Sequence, residues 1–303
     1  MIYLVIPVFN RCHLTRRCLQ SLSKQNYVNF KVIVVDDGST DDTQTVIKSD
    51  FPEVTILTGD GNLWWTEATN VGIRYAINNL NASDDDFVLT LNNDTEVNES
   101  YLQSLVDVSQ KYPNAIVGSL SLDISNHRTI TFAGTLINFI TAKYYCIAKD
   151  KLNNDLNNLD KNKQVIPTDS LPGRGMLIPV RIIKSIGYFD SKNYKHYLAD
   201  IEYTVRAKDR GFQLFVSTSS IVYEHTTVTA IPSVAKLSIG KFIKSFTDFR
   251  SPYYLKPRFH FSFKYGRYPL LFFFFDFSRI TISYFIQKLS HITSQKIIHI
   301  KNK

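Results

Sequence analysis

Three apolar runs, Leu4-Val5-Ile6, Val32-Ile33-Val34-Val35 and Phe87-Val88-Leu89-Thr90-Leu91, each lead into a polar cluster, and stretches with helical spacing lie between them. Short runs rich in branched residues and bounded by turn residues mark buried strands. Strand alternating with helix from residue 1 to about 120 restricts the chain to an α/β fold, with a mainly parallel central sheet flanked by helices and joined by right-handed crossovers. In such sheets ligands bind beyond the carboxyl ends of the strands. Pro7-Val8-Phe9-Asn10, Asp36-Asp37-Gly38-Ser39 and Asn92-Asn93-Asp94 are thereby expected at one edge, which suggests a nucleotide and metal site.

The spacing predicts strand 2–8, then helix 11–24 with Asn10 as N-cap. Strand 31–35 follows, with a helix opened by a capping box of Ser39 and Asp42. A short strand at 54–57, a helix near 67–79 and strand 86–91 complete the regular part. Residues 149–164 are rich in Asn, Asp and Lys and read as an exposed, mobile loop. The stretch 171–179 reads as a turn entering a short strand, and 181–186 as a helical turn. Residues 200–210 have helical spacing and stop at Gly211, a fitting C′ residue. Two last strands are expected at 213–216 and 221–223.

With 303 residues, 44% of them hydrophobic, the chain can bury a large core and carry an appendage. The three cysteines, Cys12, Cys18 and Cys146, show no metal spacing and read as free thiols in a reducing compartment. The apolar start lacks a basic leader, so no signal peptide is expected and the catalytic part is placed in the cytoplasm. Charge is polarised. Residues 226–303 carry +11, whereas residues 1–225 carry −3. The same basic segment holds an aromatic-rich stretch, 268–286, interrupted by Asp276, Arg279, Thr281 and Ser283. A spanning helix needs roughly 20 mostly apolar residues. This stretch is read as falling short of that, and as a helix lying in a membrane interface or packed on protein. Nucleic-acid binding is disfavoured, because the segment lacks a zinc, helix-turn-helix or RNP pattern and its Phe run suits lipid better than bases.

Each polar cluster has a chemical and a purely structural reading. A carboxylate at Asp36 or Asp37 can accept from a base or a ribose hydroxyl, or can simply cap a helix. Asp94, with the amides before it, suits a hard cation such as Mg²⁺ or Mn²⁺, or forms an Asx turn. His225 can add a ligand better matched to Mn²⁺, or is structural. Asp200 and Glu202 lie two apart and so face different directions on a helix. Asp200 is the better placed base, and Glu202 is left to orient an acceptor hydroxyl or to bind Arg206. Trp64 and Trp65, in a Gly-rich turn with Asn62 and ahead of Asn70, offer faces for a sugar or anchors for the core.

The ordered set Pro-Val-Phe-Asn, Val-Val-Asp-Asp-Gly-Ser-Thr-Asp, Leu-Asn-Asn-Asp-Thr and Asp-Ile-Glu-Tyr-Thr-Val-Arg resembles the family 2 glycosyltransferases of GT-A fold. It is most similar to bacterial rhamnosyltransferase-like members that build surface polysaccharides. The resemblance covers residues 2 to about 230 and implies a catalytic domain at 1–230, with a basic helical region at 231–303. It implies that Pro7, Val8, Asn10, Asp36, Asp37 and Asn93 hold the nucleotide, and that Asp94 with His225 holds a divalent cation, Mn²⁺ or Mg²⁺. Asp200 takes the place of the catalytic base. Arg174 and Gly175 fall in the region that shapes the donor and acceptor pocket, with Asn62, Trp64, Trp65, Asn70, Glu202 and Arg206 assigned there too. Asn92 and Ala199 depart from the pattern, since acids are usual at both positions.

The function expected is inverting transfer of a sugar, rhamnose by resemblance, from a nucleoside diphosphate to a glycan or lipid-linked glycan. The setting expected is the inner face of the cell membrane. The two lost acids motivate one alternative, a silent nucleotide-sugar-binding subunit.

Overall fold

The computed structural model describes residues 1–160, 162–226 and 237–301, with side chains to residue 290. By contact density these fall into two compact units. One comprises Met1–Leu136 and Tyr145–Thr229, and the other Ile137–Tyr144 and Ala230–Lys303.

The first unit begins with β1 (Ile2–Val8), α1 (Cys12–Leu22), β2 (Phe30–Asp36), α2 (Thr43–Asp50), β3 (Thr55–Thr58), α3 (Trp64–Asn78) and β4 (Phe87–Thr90). Then come β5 (Thr95–Val97), α4 (Tyr101–Lys111), β6 (Ala115–Asp123) and β7 (Asn126–Phe132). A hairpin of β8 (Thr135–Asn138) and β9 (Lys143–Cys146) leads to α5 (Ile147–Asp150), β10 (Val165–Pro167), β11 (Met176–Pro179), α6 (Val180–Ile186), α7 (Ala199–Asp209) and β12 (Gln213–Glu224).

The main sheet runs β10-β12-β6-β11-β4-β1-β2-β3, with β5 beside β12 and β7 beside β6. Strands β1, β2, β3 and β4 are mutually parallel, as βαβ alternation requires. The sheet is nevertheless mixed. β11 enters antiparallel between β4 and β6, while β12 lies parallel to β6, so the expected parallel core is kept and antiparallel strands are added to it in the second half of the chain. Ile6, Val34 and Leu89 belong to one apolar layer, and Val5, Val35 and Val88 to the other, because alternate side chains meet helices on opposite faces.

Two expected caps are absent. α1 is preceded by Arg11 in the left-handed region, whose side chain makes no cap bond, and Asp41 accepts from the Cys12 N–H at 2.9 Å. Asn10 instead accepts from the Thr40 N–H at 2.8 Å. Ser39 and Asp42 form no capping box, since the Ser39 hydroxyl donates to Asp36. The C′ expectation holds: Gly211, with φ of +90°, ends α7. The two expected last strands are one, β12, with a register shift between Ser217 and Ile221. The loop 149–164 is largely exposed but contains one turn of 3₁₀ helix, Leu156–Asn158. Cys18 is buried and Cys12 and Cys146 partly so, all three free.

Besides the tip of the β8–β9 hairpin, the second unit has three described helices: α8 (Ile239–Ser245), α9 (Leu255–Tyr265) and α10 (Pro269–Lys301). The stretch Pro269–Ser290 in α10 has 22 residues and a mean hydropathy of 1.4. By length and composition it meets the requirement for a spanning helix, which corrects the expectation that it falls short.

Candidate active site

Strand direction decides which residues meet. β1, β2 and β4 are parallel, so Asn10, Asp36 and the 92–94 turn leave the sheet at one edge. β11 runs the other way, with Met176 opposite Thr90, so the loop that precedes it brings Arg174 and Gly175 to that same edge. Glu224, at the end of β12, pairs with Thr95 just beyond Asp94.

The two aspartates after β2 hold loops. Asp36 accepts from the Ser39 N–H at 3.0 Å and from Gln44 at 2.6 Å. It is fully buried, and its oxygens accept from the turn and from Gln44. Asp37 accepts from the backbone N–H groups of Gly61 (2.9 Å), Leu63 (3.1 Å) and Trp64 (2.8 Å). It therefore ties the Gly-rich turn to the strand end. Gly38 sits at φ of +78°, and a Cβ there would lie 3.2 Å from the Gly61 nitrogen. The Val8 carbonyl accepts from the Asp37 N–H at 2.8 Å, and Pro7 is paired across to Val35. Asn62 is exposed at the tip of this turn.

At the end of β4 the amides are also engaged. The Trp65 indole donates to Asn92 Oδ1 at 3.0 Å, and Asn93 donates to the Thr15 hydroxyl at 2.9 Å. Asp94 is buried, and Arg11 Nη1 donates to its Oδ2 at 3.3 Å. Burial pushes the Asp94 carboxyl above the ordinary range, while the Arg11 and Arg174 charges oppose that rise. His225 does not turn to Asp94. Its Nε2 lies 2.8 Å from Glu96 Oε1, the same oxygen that Arg17 reaches at 2.7 Å.

Among the described residues no group of three or more His, Cys, Asp or Glu is arranged to hold a metal ion. A cation that arrives with phosphates needs only one or two carboxylates. Asp94 fits that role, because it is a desolvated acid whose partner Arg11 is half-exposed and held by a long 3.3 Å contact. The His225 side chain is engaged with Glu96, while its backbone N–H donates to the Asp94 carbonyl at 3.3 Å.

Asp200 stands in the first turn of α7, where the helix dipole favours an anion. Its Oδ2 accepts from the Gly173 N–H and its Oδ1 from the Ile201 N–H, both at 2.9 Å. A Cβ on Gly173 would lie 2.0 Å from the Trp65 ring, so this loop packs directly on the indole. Trp65 also meets Phe189 edge-on at 5.5 Å. Asp200, Gly173, Trp65 and Asn92 thus form one continuous chain of contacts. Trp65 is the bracket in that chain, whereas Trp64 meets His196 edge-on at 5.8 Å with Lys195 over its ring at 6.0 Å. Arg174 pairs with Glu224, and Gly175 takes φ of +83° where a Cβ would lie 2.5 Å from Ser119 Oγ.

Three expected pocket residues are structural. Glu202 is fully buried and pairs with Arg206 at 3.2 Å. Arg206 also donates to the carbonyls of Ile186 (2.7 Å) and Tyr188 (2.9 Å). Asn70 donates to the Phe189 carbonyl at 2.9 Å and accepts its N–H at 3.0 Å. Arg206 and Asn70 hold the 186–189 segment, and Glu202 holds Arg206.

Sequence reasoning missed Arg11, Glu96 and His196. His196 is half-buried beside Asp200, and its Nδ1 has no hydrogen-bond partner among the described residues. Burial lowers its pKa, and the nearby Asp200 charge opposes that. Backbone strain marks the same places: Asn10 (φ 57°), Arg11 (62°), Trp64 (57°) and Leu198 (68°) are all left-handed. Such strain clusters at functional sites.

The family model for glycosyl transferase family 2 matches residues 3–164, more than half of the chain. The chain belongs to this family. It is 26% identical over 229 residues to an uncharacterised glycosyltransferase of Rickettsia prowazekii, covering 74% of this chain and 61% of that protein. It is 31% identical over 105 residues to the glycosyltransferase GlyA of Streptococcus pneumoniae, covering 34% of this chain and 14% of that protein. The chain therefore spans less than two thirds of the curated relatives it matches. A mannosyltransferase from Pyrobaculum calidifontis, solved with GDP-Man and Mn²⁺, superposes with a TM-score of 0.59 at 14% identity, covering 98% of this chain and 75% of that one. At that identity the likeness shows the fold, which is GT-A.

Proposed function

We propose that this chain is an inverting glycosyltransferase that moves a sugar from a nucleoside diphosphate to a glycan hydroxyl, with Asp200 as the catalytic base. One observation carries the reading. Asp200 is fixed at a helix start by the backbone of the loop that packs on Trp65, and Trp65 in turn holds the end of β4, two residues from Asp94.

In the step proposed, Asp200 takes the proton of the acceptor hydroxyl. That oxygen forms the new bond to the anomeric carbon as the bond to the diphosphate breaks, and the nucleoside diphosphate leaves with the electron pair. A single displacement inverts the anomeric centre. Asp94 would give a divalent cation its protein oxygen, and the cation would neutralise charge on the diphosphate. Arg11, displaced from Asp94, and Arg174 bring positive charge to the same edge. The Gly-rich turn held by Asp37, with Pro7, Val8, Asn10 and Asn93, would form the nucleotide side. Rhamnosyl transfer to a lipid-linked glycan at the inner membrane face is the specific form of this reading. Its support is the family resemblance and the basic, apolar second unit.

The test is a screen of UDP-, GDP- and dTDP-sugars for nucleoside diphosphate release, with Mn²⁺ and with EDTA. The expected result is release from one donor that chelation lowers and Mn²⁺ restores. Donor binding without release, even with lipid-linked acceptor added, would instead identify a silent binding subunit.

A further inference from the structure

A surface helix of a water-soluble protein turns its polar side outward. α10 does the reverse. Phe272, Asp276 and Tyr284, four and then eight residues apart, form its buried stripe against the other helices of the second unit. The opposite face carries Leu271, Phe274, Phe275, Ile282, Phe285 and Leu289, which fall together at helical spacing and are all exposed; Leu289 is 66% exposed and Phe274 61%. Other exposed apolar residues of the same unit are Phe259 and Phe263 of α9, with Phe259 edge-on to Phe273 of α10 at 5.4 Å, and Ile239 and Ile243 of α8.

Both charges inside the apolar stretch are engaged with protein, Asp276 buried and Arg279 exposed. Asp276 binds Arg258 at 2.7 Å, and Arg279 donates to the carbonyls of Ala142 (2.6 Å) and Thr141 (3.1 Å). Phe242 of α8 stacks on Tyr284 at 3.9 Å. With that side of α10 committed to protein, the helix cannot be surrounded by lipid on all sides as a lone spanning helix is. Exposed Lys241, Lys244 and Lys256 lie on the helices beside the apolar face. The segment 226–303 as a whole carries +11. A second copy of this chain would bring another +11 to the same contact, whereas an anionic bilayer opposes it with the complementary sign.

We infer that the outward face of α10, with the exposed apolar residues of α8 and α9, is a docking surface for an anionic lipid bilayer. α10 lies in the plane of the membrane, its Leu–Phe–Ile stripe in the headgroup and acyl boundary and the lysines at the headgroups. This deepens the membrane placement proposed above and does not depend on catalysis, because binding is read without any donor.

The test is flotation of the full chain with phosphatidylglycerol–phosphatidylcholine vesicles and with phosphatidylcholine alone. The wild type should float with the anionic vesicles, more weakly at high salt, and be stripped from them at alkaline pH as a spanning protein is not. The double variant Leu271→Glu/Phe285→Glu should bind at least tenfold more weakly, since two charges replace buried apolar area. Lys241→Glu/Lys244→Glu should lose the preference for anionic vesicles and keep the wild-type circular dichroism and thermal midpoint. Equal flotation of wild type and both variants would overturn the inference. So would a concentration-dependent dimer in lipid-free buffer that the Leu271→Glu/Phe285→Glu change dissolves, because the face would then belong to a second copy.

Discussion

His196 stands beside the proposed base with a ring that its surroundings keep neutral. Its pKa is depressed below 6.5 by burial, so the folded state binds fewer protons there than the unfolded state. The stability this gives is present above the unfolded pKa of about 6.5 and is lost as pH falls through the lower folded value. Chemical unfolding from pH 7.5 to 5 should therefore show a decline that His196→Gln flattens, and an unchanged slope in the variant would remove His196 as its source. This residue was not legible in the sequence, since a lone histidine in a loop carries no periodic signal. Asp36 and Asp37 show the same limit. Their adjacency marked a strand end correctly, but only the structure separates the fully buried one, spent on Ser39 and Gln44, from the one that holds three N–H groups of the Gly-rich turn. For Glu202 the sequence left two roles open, an acceptor hydroxyl or Arg206, and the structure shows the Arg206 pair; Asn70 bonds both backbone groups of Phe189.

Among the elements, the starts of α1, α3 and α7 share a device. Each begins beside a non-glycine residue in the left-handed region: Arg11, Trp64 and Leu198. Each costs about 1–3 kcal/mol, which the surrounding packing must offset. For α3 the offset is visible in the Asp37 bond to the Trp64 N–H. For α7 the neighbouring contact is the Gly173 N–H on Asp200, which depends on Gly173 lying flat against Trp65. Gly173→Ala should therefore destabilise the fold by about 1–3 kcal/mol through overpacking. It should also lower turnover by more than it lowers donor affinity, because it shifts the Asp200 side. Denaturation midpoints and a kcat against KM comparison would check this; an unaltered kcat would detach the loop from the base. Strand and helix positions were legible because hydrophobic period and turn residues fix them locally. The caps at Asn10 and Ser39 were misread because those side chains bond across loops, to Thr40 and Asp36, which no local pattern records.

At the scale of the molecule, the αβ alternation over the first 120 or so residues was enough to predict an open sheet with its ligand edge at the carboxyl ends. The antiparallel entry of β11 was not legible, although it explains why Arg174 and Gly175, at the beginning of a strand, reach the same edge as Asp94 at the end of one. The polarised charge was plain in the sequence. Which side of α10 faces outward was not, because the helix is apolar on both. The account as a whole rests on Asp200. The most direct measurement is the rate of nucleoside diphosphate release by Asp200→Asn beside the wild type, with donor affinity measured in parallel. Loss of a general base predicts a fall of about 10²–10⁴-fold in turnover with donor affinity unchanged. Turnover at the wild-type rate would contradict the account, and the carboxylate at the start of α7 would then be a helix-end anion and no more.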